Sequence, residues 1–318
     1  MVDVTVVVPV FNRQSLVIDA LNAIAAQTCL PRQAVVVDDG STDATVEAVR
    51  RWMAEHGSRQ AGSRRWCVRL YTRPKETAAA ARQFGLTHCD TTEFVAFLDS
   101  DDLWPGDFLE RAVAAMSCDS KIVAGSADRR FVDTAGTVFQ QDDCRALARN
   151  PIRWLFQYGA GVASCTLFRR AAVDAAGGWD GSLKTAEDAA LFARVASLGR
   201  WTHLPGNAVT LRQGRGKTGM EEGNLSQKHT DRLQRWAGAY EKIYDELQGH
   251  HPESDRRLLR RYVAAYWYRA GKQWALQRNE DAARRCFDNA VSWWPLMLRP
   301  RLRRYRLAAT CYERRQQI

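Results

Sequence analysis

The chain has 318 residues, 46% hydrophobic and 26% charged, enough to bury one large core or two unequal ones in a folded globular protein. It holds no apolar run long enough to cross a bilayer as a helix, and its first residues, MVDVTVVVPVF, read as a strand and not as a signal peptide. The net charge of +10 is local: residues 252–318 hold 16 Lys and Arg against 6 Asp and Glu, while the first 251 residues balance 30 against 30. The eight cysteines (Cys29, Cys67, Cys89, Cys118, Cys144, Cys165, Cys286 and Cys311) are scattered without a CxxC pair. That argues against a zinc cluster or a disulfide scaffold and predicts buried, reduced thiols in a cytosolic protein.

VTVVVPV opens as a strand, followed by a helical run from Ser15 to Gln27. AVVVDD precedes a run from Thr42 to His56, WCVRLYT one from Glu76 to His88, and then EFVAFLDSDD arrives. Short β-branched runs alternating with helices predict a parallel sheet with crossover helices, whose ligands sit at the carboxyl ends of the strands. Two acidic clusters, Asp38-Asp39 and Asp99-Ser100-Asp101-Asp102, fall at such ends. Neighbouring carboxylates beside a buried strand cost energy unless a ligand, a metal or a donor group compensates them.

From Lys121 the rhythm changes. KIVAGSADRRFVD and GTVFQQ read as strands joined by a turn, ASCTLFRR as another strand and AEDAALFARVASLG as a helix. AVTLRQ reads as a last strand before the loop GRGKTGMEEGN. Beyond about Leu225 only helical patterns remain, broken near Pro252, Pro295 and Pro300. WYRAGKQWALQRNEDAARRCFDNAVSWWP has the spacing of one helix-turn-helix hairpin and is similar to a tetratricopeptide unit.

Asp99, Asp101 and Asp102 can hold a hard ion such as Mg²⁺ or Mn²⁺ with positions left for phosphate oxygens, or they form a solvated turn capping the helix near Pro105. Neither G-x-G-x-x-G after the first strand nor G-x-x-x-x-G-K-[ST] occurs, so a bound nucleotide would need a metal bridge in place of a glycine cradle. Asp39 could then accept from a base N–H or a ribose hydroxyl. Glu187-Asp188 opens a helix, where carboxylates meet the positive dipole end. The pair either stabilises that end or supplies a general base. Arg212, Arg215 and Lys217 could close on a diphosphate, although a solvated loop would carry the same residues.

Five motifs in order, VTVVVPVFNR, VVVDDGSTD, FLDSDD with LWPGDFL, GGWD and AED, resemble glycosyltransferase family 2 over about residues 2–225. The resemblance implies an α/β fold of the GT-A type: a mixed, mostly parallel central sheet flanked by helices, here with an all-helical C-terminal extension. It implies a GT-A domain over 1–225, with a nucleotide-binding half at 1–105 and an acceptor half at 106–225. Residues 226–318 remain as a basic helical extension carrying the hairpin.

The implied activity is metal-dependent, inverting transfer of a sugar from a nucleotide-diphosphate sugar, UDP-sugar favoured, to a hydroxyl of a saccharide acceptor. A lipid-linked acceptor in cell-surface polysaccharide or glycan assembly fits the family. Carried over by position, Pro9, Phe11 and Arg13, after the first strand, would edge the nucleotide pocket with Asp38, Asp39, Arg82, Asp99 and Ser100. Asp101 and Asp99 would hold Mn²⁺ or Mg²⁺, and Arg212, Arg215 and Lys217 the diphosphate. Asp188 would be the catalytic base, with Glu187, Trp179 and Asp180 at the acceptor. The QxxRW element of processive members is absent, because LQRW at Leu233–Trp236 has Arg232 where Gln should stand. Many non-processive members carry a His after the Arg of the late strand, where this chain has Gln213 and Gly214.

The tail SWWPLMLRPRLRRYRLAATCYERR suits either an anionic bilayer surface or a basic cap packed on the catalytic domain. No nucleic-acid-binding motif accompanies the charge, and a cytoplasmic protein, peripheral on the cytoplasmic face of the membrane, is expected. The principal rival is a non-catalytic scaffold that binds sugar nucleotides. A sugar nucleotidyltransferase is disfavoured because PVFNRQS lacks its Gly-rich loop, and a receiver domain because WCVRLYTRP ends without a phosphoacceptor Asp.

Overall fold

The computed structural model describes residues 1–56, 58–61, 64–158, 163–183, 185–212, 231–247 and 253–303. Contacts divide the chain into two compact units, Met1–Leu155 with Gly159–Glu222, and Phe156–Tyr158 with Gly223–Ile318.

The first unit begins with β1 (Val2–Val10), α1 (Leu16–Ala25), β2 (Pro31–Asp38), α2 (Thr45–His56), β3 (Ser58–Ala61), β4 (Arg64–Thr72), α3 (Ala78–Thr87) and β5 (Phe94–Phe97). It continues through α4 (Phe108–Ser117), β6 (Ile122–Val132), β7 (Val138–Asp142), α5 (Arg145–Arg149), α6 (Pro151–Tyr158, whose last three residues belong to the second unit), β8 (Thr166–Arg169), α7 (Arg170–Ala175), α8 (Glu187–Ala196) and β9 (Arg200–Arg212). The strands form one mixed sheet ordered β3-β4-β2-β1-β5-β8-β6-β7, with β9 also paired to β6. β4, β2, β1 and β5 run parallel, and β8 joins them antiparallel to the β6–β9 half.

β1 and β2 are continuous valine runs because both faces of the sheet are covered. Val4, Val6, Val8 and Val36 pack with Val17, Leu21 and Ile24 of α1 and Trp52 of α2. Val35 and Val37 face the other way, against Ala81 of α3. Gly85 lets α3 lie close on this side, since a Cβ there would stand 2.5 Å from Val7. Each fully buried valine is worth about 1.5–3 kcal/mol.

The order in which strands are added to the sheet reverses between the parallel neighbours β1 and β5, the position where open α/β sheets form a ligand crevice. β5 pairs only Val4–Val7 of β1. Pro9, expected after the strand, lies inside β1 opposite Val37, where no ladder bond to β5 needs its missing N–H.

Other differences have local causes. α2 starts at Thr45 and not at Thr42, because Ser41 and Thr42 bond to Asn12 instead. Ala163–Cys165 form a 3₁₀ turn, leaving Thr166–Arg169 as the strand. β9 starts at Arg200 and not at Ala208, carried past Pro205 and Gly206 by a register shift against β6. Arg111 secures that irregularity by donating to the Pro205 and Asn207 carbonyls.

In the second unit, α9 (Arg232–Glu246), α10 (Glu253–Leu276) and α11 (Glu280–Trp293) follow one another, and residues 298–303 are again helical. Tyr240 stacks on Tyr266 at 4.3 Å and meets Phe156 edge-on. Trp267 and Trp293 both donate their indole N–H to Glu241. Asn279 caps α11 by accepting from the Ala282 N–H, making α10 and α11 a helical hairpin. The cysteines of the described residues are all free, but only Cys144, Cys165 and Cys286 are buried and Cys118 is exposed. Among the described residues no helix is long and apolar enough to cross a membrane.

Candidate active site

At the end of β2, Asp38 and Asp39 are both buried, at 2% exposure. Asp38 Oδ2 accepts the Ser41 N–H at 3.1 Å. Asp39 accepts the Glu76 N–H on both oxygens at 3.2 Å and pairs with Lys75 Nζ at 3.1 Å and Arg73 at 3.8 Å. Gly40, at φ +78°, makes this possible, because a Cβ there would meet the Lys75 backbone nitrogen at 2.9 Å. The donors expected from a ligand are therefore supplied by the segment after β4. Lys75 also stands 3.4 Å above the ring of Phe11, which is expected to edge the nucleotide pocket, and so bridges it to Asp39.

Asn12 joins the loops after β1 and β2. Its Oδ1 accepts the Thr42 N–H at 2.8 Å, its own N–H donates to Ser41 Oγ at 2.9 Å, and the Arg13 N–H donates to Thr45 Oγ1. Asn12 holds a left-handed φ of 50° and Ala186, before α8, one of 55°. Such backbone strain concentrates at functional sites.

At the end of β5, the Asp99 N–H donates to Ser164 Oγ at 3.1 Å, and Trp104 Nε1 donates to the Ser164 carbonyl. Ser100 and Asp102 are buried, and Asp99 and Asp101 are half-buried. Burial, reinforced by the charge of Asp99, raises the Asp101 pKa, with Arg13 and Arg212 offsetting only part of the shift. Burial, then Asp101 and Asp99, hold the Asp102 carboxyl well above the usual carboxylate range. This cluster carries more negative charge than its neighbours balance.

Arg82 of α3 connects the cluster to the head of α8. Its side chain is 6% exposed, with Nη2 at 2.5 Å from Asp99 and Nη1 at 3.6 Å from Glu187. Burial works against its charge, but Asp99 and Glu187 outweigh it and the Arg82 pKa is raised. Burial and then Asp188 raise the Glu187 pKa, with Arg82 opposing. Asp188, second in α8, is half-buried and accepts the Ala189 N–H at 2.8 Å. Arg82 Nε and Nη1 and Trp179 Nε1 are buried without a hydrogen-bond acceptor.

The other expected residues take the following places. Arg82, expected at the nucleotide, lies where the β5 end meets α8. Trp179, expected at the acceptor, is buried beneath Arg82, 4.6 Å from its guanidinium, and packs edge-on against Phe97. Asp180 accepts from the Ser182 N–H and hydroxyl. Arg212 is the last residue of β9 and is anchored: its side chain pairs with Asp19 at 2.8 Å and its N–H donates to Asp102. Arg215 and Lys217 lie outside the described residues. The pairing of Lys75 with Asp39 had no signal in the sequence beyond its distance from the strand end.

Among the described residues, one group of three has ligand atoms all within 4.8 Å: Asp128, Asp143 and His203. These groups already serve one another and their neighbours. Asp128 Oδ1 meets His203 Nε2 and the Cys144 N–H, each at 2.8 Å. Arg145 hydrogen bonds draw the exposed Asp143 carboxyl down to about 2. Asp99 and Asp101 need no third carboxylate to suit Mg²⁺ or Mn²⁺, which take one or two carboxylates plus substrate phosphates.

The glycosyl transferase family 2 profile matches residues 5–177, more than half of the chain. An uncharacterized glycosyltransferase of Rickettsia felis is 33% identical over 107 residues, covering 34% of this chain and 16% of the relative. The amylovoran biosynthesis glycosyltransferase AmsB of Erwinia amylovora is 29% identical over 128 residues, 40% of this chain and 39% of that protein. The chain thus spans well under half of these relatives' length. S. aureus TarS 1–349 in complex with UDP-GlcNAc shares the fold with a TM-score of 0.66 at 17% identity, over 91% of this chain and 81% of that one. The mannosyltransferase PcManGT of Pyrobaculum calidifontis, in complex with GDP-Man and Mn²⁺, superposes with a TM-score of 0.61 at 22% identity, over 99% and 82%. The sheet order, the acidic strand ends and the profile match agree on a GT-A architecture, and the chain belongs to glycosyltransferase family 2.

Proposed function

We propose that the protein is an inverting, non-processive, metal-dependent glycosyltransferase that moves a sugar from a nucleotide-diphosphate sugar, UDP-sugar favoured, to a hydroxyl of a saccharide acceptor. The acceptor is lipid-linked, and the reaction belongs to cell-surface glycan assembly at the cytoplasmic face of the membrane. One observation carries this reading: a single buried guanidinium, Arg82, holds Asp99 of the donor side and Glu187 of the α8 acid pair. The UDP-GlcNAc and GDP-Man of the two similar structures, and the polysaccharide role in the Erwinia relative's name, support the class of donor and product.

The base stacks beside Phe11 and exchanges with Lys75 for the Asp39 carboxylate. Asp101 and Asp99 fit a hard divalent cation, since both offer oxygen and Asp101 already carries charge that its surroundings disfavour. Mn²⁺ or Mg²⁺, when bound, offsets charge developing on the diphosphate. Arg212, Arg215 and Lys217 complete the cationic side. Asp188 removes the proton from the acceptor hydroxyl as it attacks the anomeric carbon, and one in-line displacement inverts that centre. Glu187 orients the acceptor and Arg82 favours its ionised form, while Trp179 supports Arg82 from below and Asp180 shapes the turn beside it.

A panel of nucleotide sugars with and without Mn²⁺, read by melting temperature and donor hydrolysis, tests the reading. One donor should stabilise the protein with Mn²⁺ and be slowly hydrolysed. Stabilisation without hydrolysis or transfer would favour a binding scaffold, and no stabilisation by any donor would overturn the proposal.

A further inference from the structure

α10 carries Arg256, Arg257, Arg260 and Arg261 in succession along one end of the helical unit. Residues four apart share a helix stripe, so these cations crowd one another. Among the described residues, Arg257, Arg260 and Arg261 enter no ion pair with a carboxylate, unlike Arg235 with Asp231 or Arg284 with Asp281. The guanidinium carbons of Arg257 and Arg261 each lie 5.6 Å from the Trp294 ring. Arg257 and Arg260 line a cleft of about 300 Å³ with Trp293, Trp294, Pro295 and Leu296.

Beside this cleft are exposed apolar side chains. Leu296, Leu298 and Leu302 are 73%, 68% and 62% exposed. Residues 298–303 are helical, so Leu298 and Leu302 share one face, with Arg299, Arg301 and Arg303 exposed around them. Arginines that meet no carboxylate among the described residues suit an anionic partner. A nucleic acid would satisfy the charge and leave the leucines in water, whereas a bilayer takes leucine at the acyl boundary, tryptophan at headgroup depth and arginine on its phosphates.

We propose that this end of the helical unit docks on an anionic lipid bilayer. Arg257, Arg260 and Arg261 grip lipid phosphates at the Trp293–Trp294 cleft, and Leu296, Leu298 and Leu302 insert beside them. The inference names the surface behind the proposed location at a membrane, yet it rests on the helical unit alone and stands or falls apart from the transferase reading.

The test floats the full chain with vesicles of phosphatidylcholine alone or mixed with phosphatidylglycerol. Binding to the mixed vesicles only is expected. R257Q/R260Q/R261Q should weaken it roughly 100-fold, from about 1 kcal/mol per basic residue at such a surface. The corresponding triple lysine variant should retain most of it, which separates charge from folding. L298D/L302D should also lose binding with an unchanged melting temperature. Failure of the unmodified chain to float overturns the proposal. So does binding that survives L298D/L302D and is abolished by inorganic phosphate, which would mark a free-phosphate site, or equal retention by a short oligonucleotide.

Discussion

At the end of β2, Asp38 and Asp39 are buried among donors of their own chain: the Ser41 and Glu76 N–H groups, Lys75 and Arg73. At the end of β5, on the other side of β1, Asp99 has Arg82, but burial and Asp99 push Asp101 toward protonation, and burial, Asp101 and Asp99 do the same to Asp102. Two acidic strand ends in one sheet thus reach opposite states. At the first, Asp39 is matched by donors of its own chain and only Asp38 Oδ1 is left buried without a hydrogen-bond partner, whereas the second is the place where the proposed cation would add the missing positive charge. Motif spacing alone does not distinguish them, because both read as aspartates after a hydrophobic run.

The largest effect in this comparison belongs to Arg82, where the β5 cluster touches α8. Arg82→Met should cost about 3 kcal/mol in denaturant unfolding, since it leaves Asp99 and Glu187 without their cation. Lys should recover only part, lacking the fork that spans both carboxylates.

The β2 and β5 ends should then respond with opposite sign to one chemical change. Asp39→Asn should lower stability by about 2 kcal/mol, by removing the buried carboxylate that pairs with Lys75 and leaving Arg73 only Glu76. Asp101→Asn, without divalent cation, should raise it by about 1 kcal/mol by relieving like-charge repulsion. Equal signs in the two melts would erase the distinction.

A pH titration sharpens the β5 side. A carboxyl whose folded pKa lies above its unfolded value binds its proton more tightly when folded, so stability falls as pH rises from the ordinary carboxylate range through the raised pKa. Burial and Asp188 raise Glu187 in this sense, and Glu187→Gln should remove its share of that fall in stability measured against pH.

The smallest effect is at Lys75, half exposed over Phe11. Lys75→Met should lower the melting temperature slightly and tighten nucleotide-diphosphate binding a few-fold, because the base no longer competes with an ammonium for Asp39. Weaker binding by calorimetry would show that Lys75 helps to hold the base.

Much of the fold was legible in the chain. The valine runs of β1 and β2 alternate with amphipathic helices, and a sheet covered on both faces needs that pattern. β9 was only half visible, because Pro205 and Gly206 interrupt a strand that continues through an irregular register. The short helices α5, α6 and α7 and the strand β3 carry too few residues for periodicity to declare them. At the site, the acidic positions were readable because adjacent carboxylates at strand ends are costly. Their partners were not: whether Lys75 reaches Asp39, or Arg82 lies under Glu187 with Trp179 beneath it, depends on contacts between segments far apart in the chain.

The central claim is that donor-side charge and acceptor-side base meet at Arg82 but act separately, with Asp188 performing the proton transfer. Asp188→Asn, assayed for transfer while donor binding is followed by calorimetry with Mn²⁺, tests it most directly. Transfer should fall by about 10² to 10⁴ with donor affinity unchanged. Turnover near that of the unmodified protein would contradict the account.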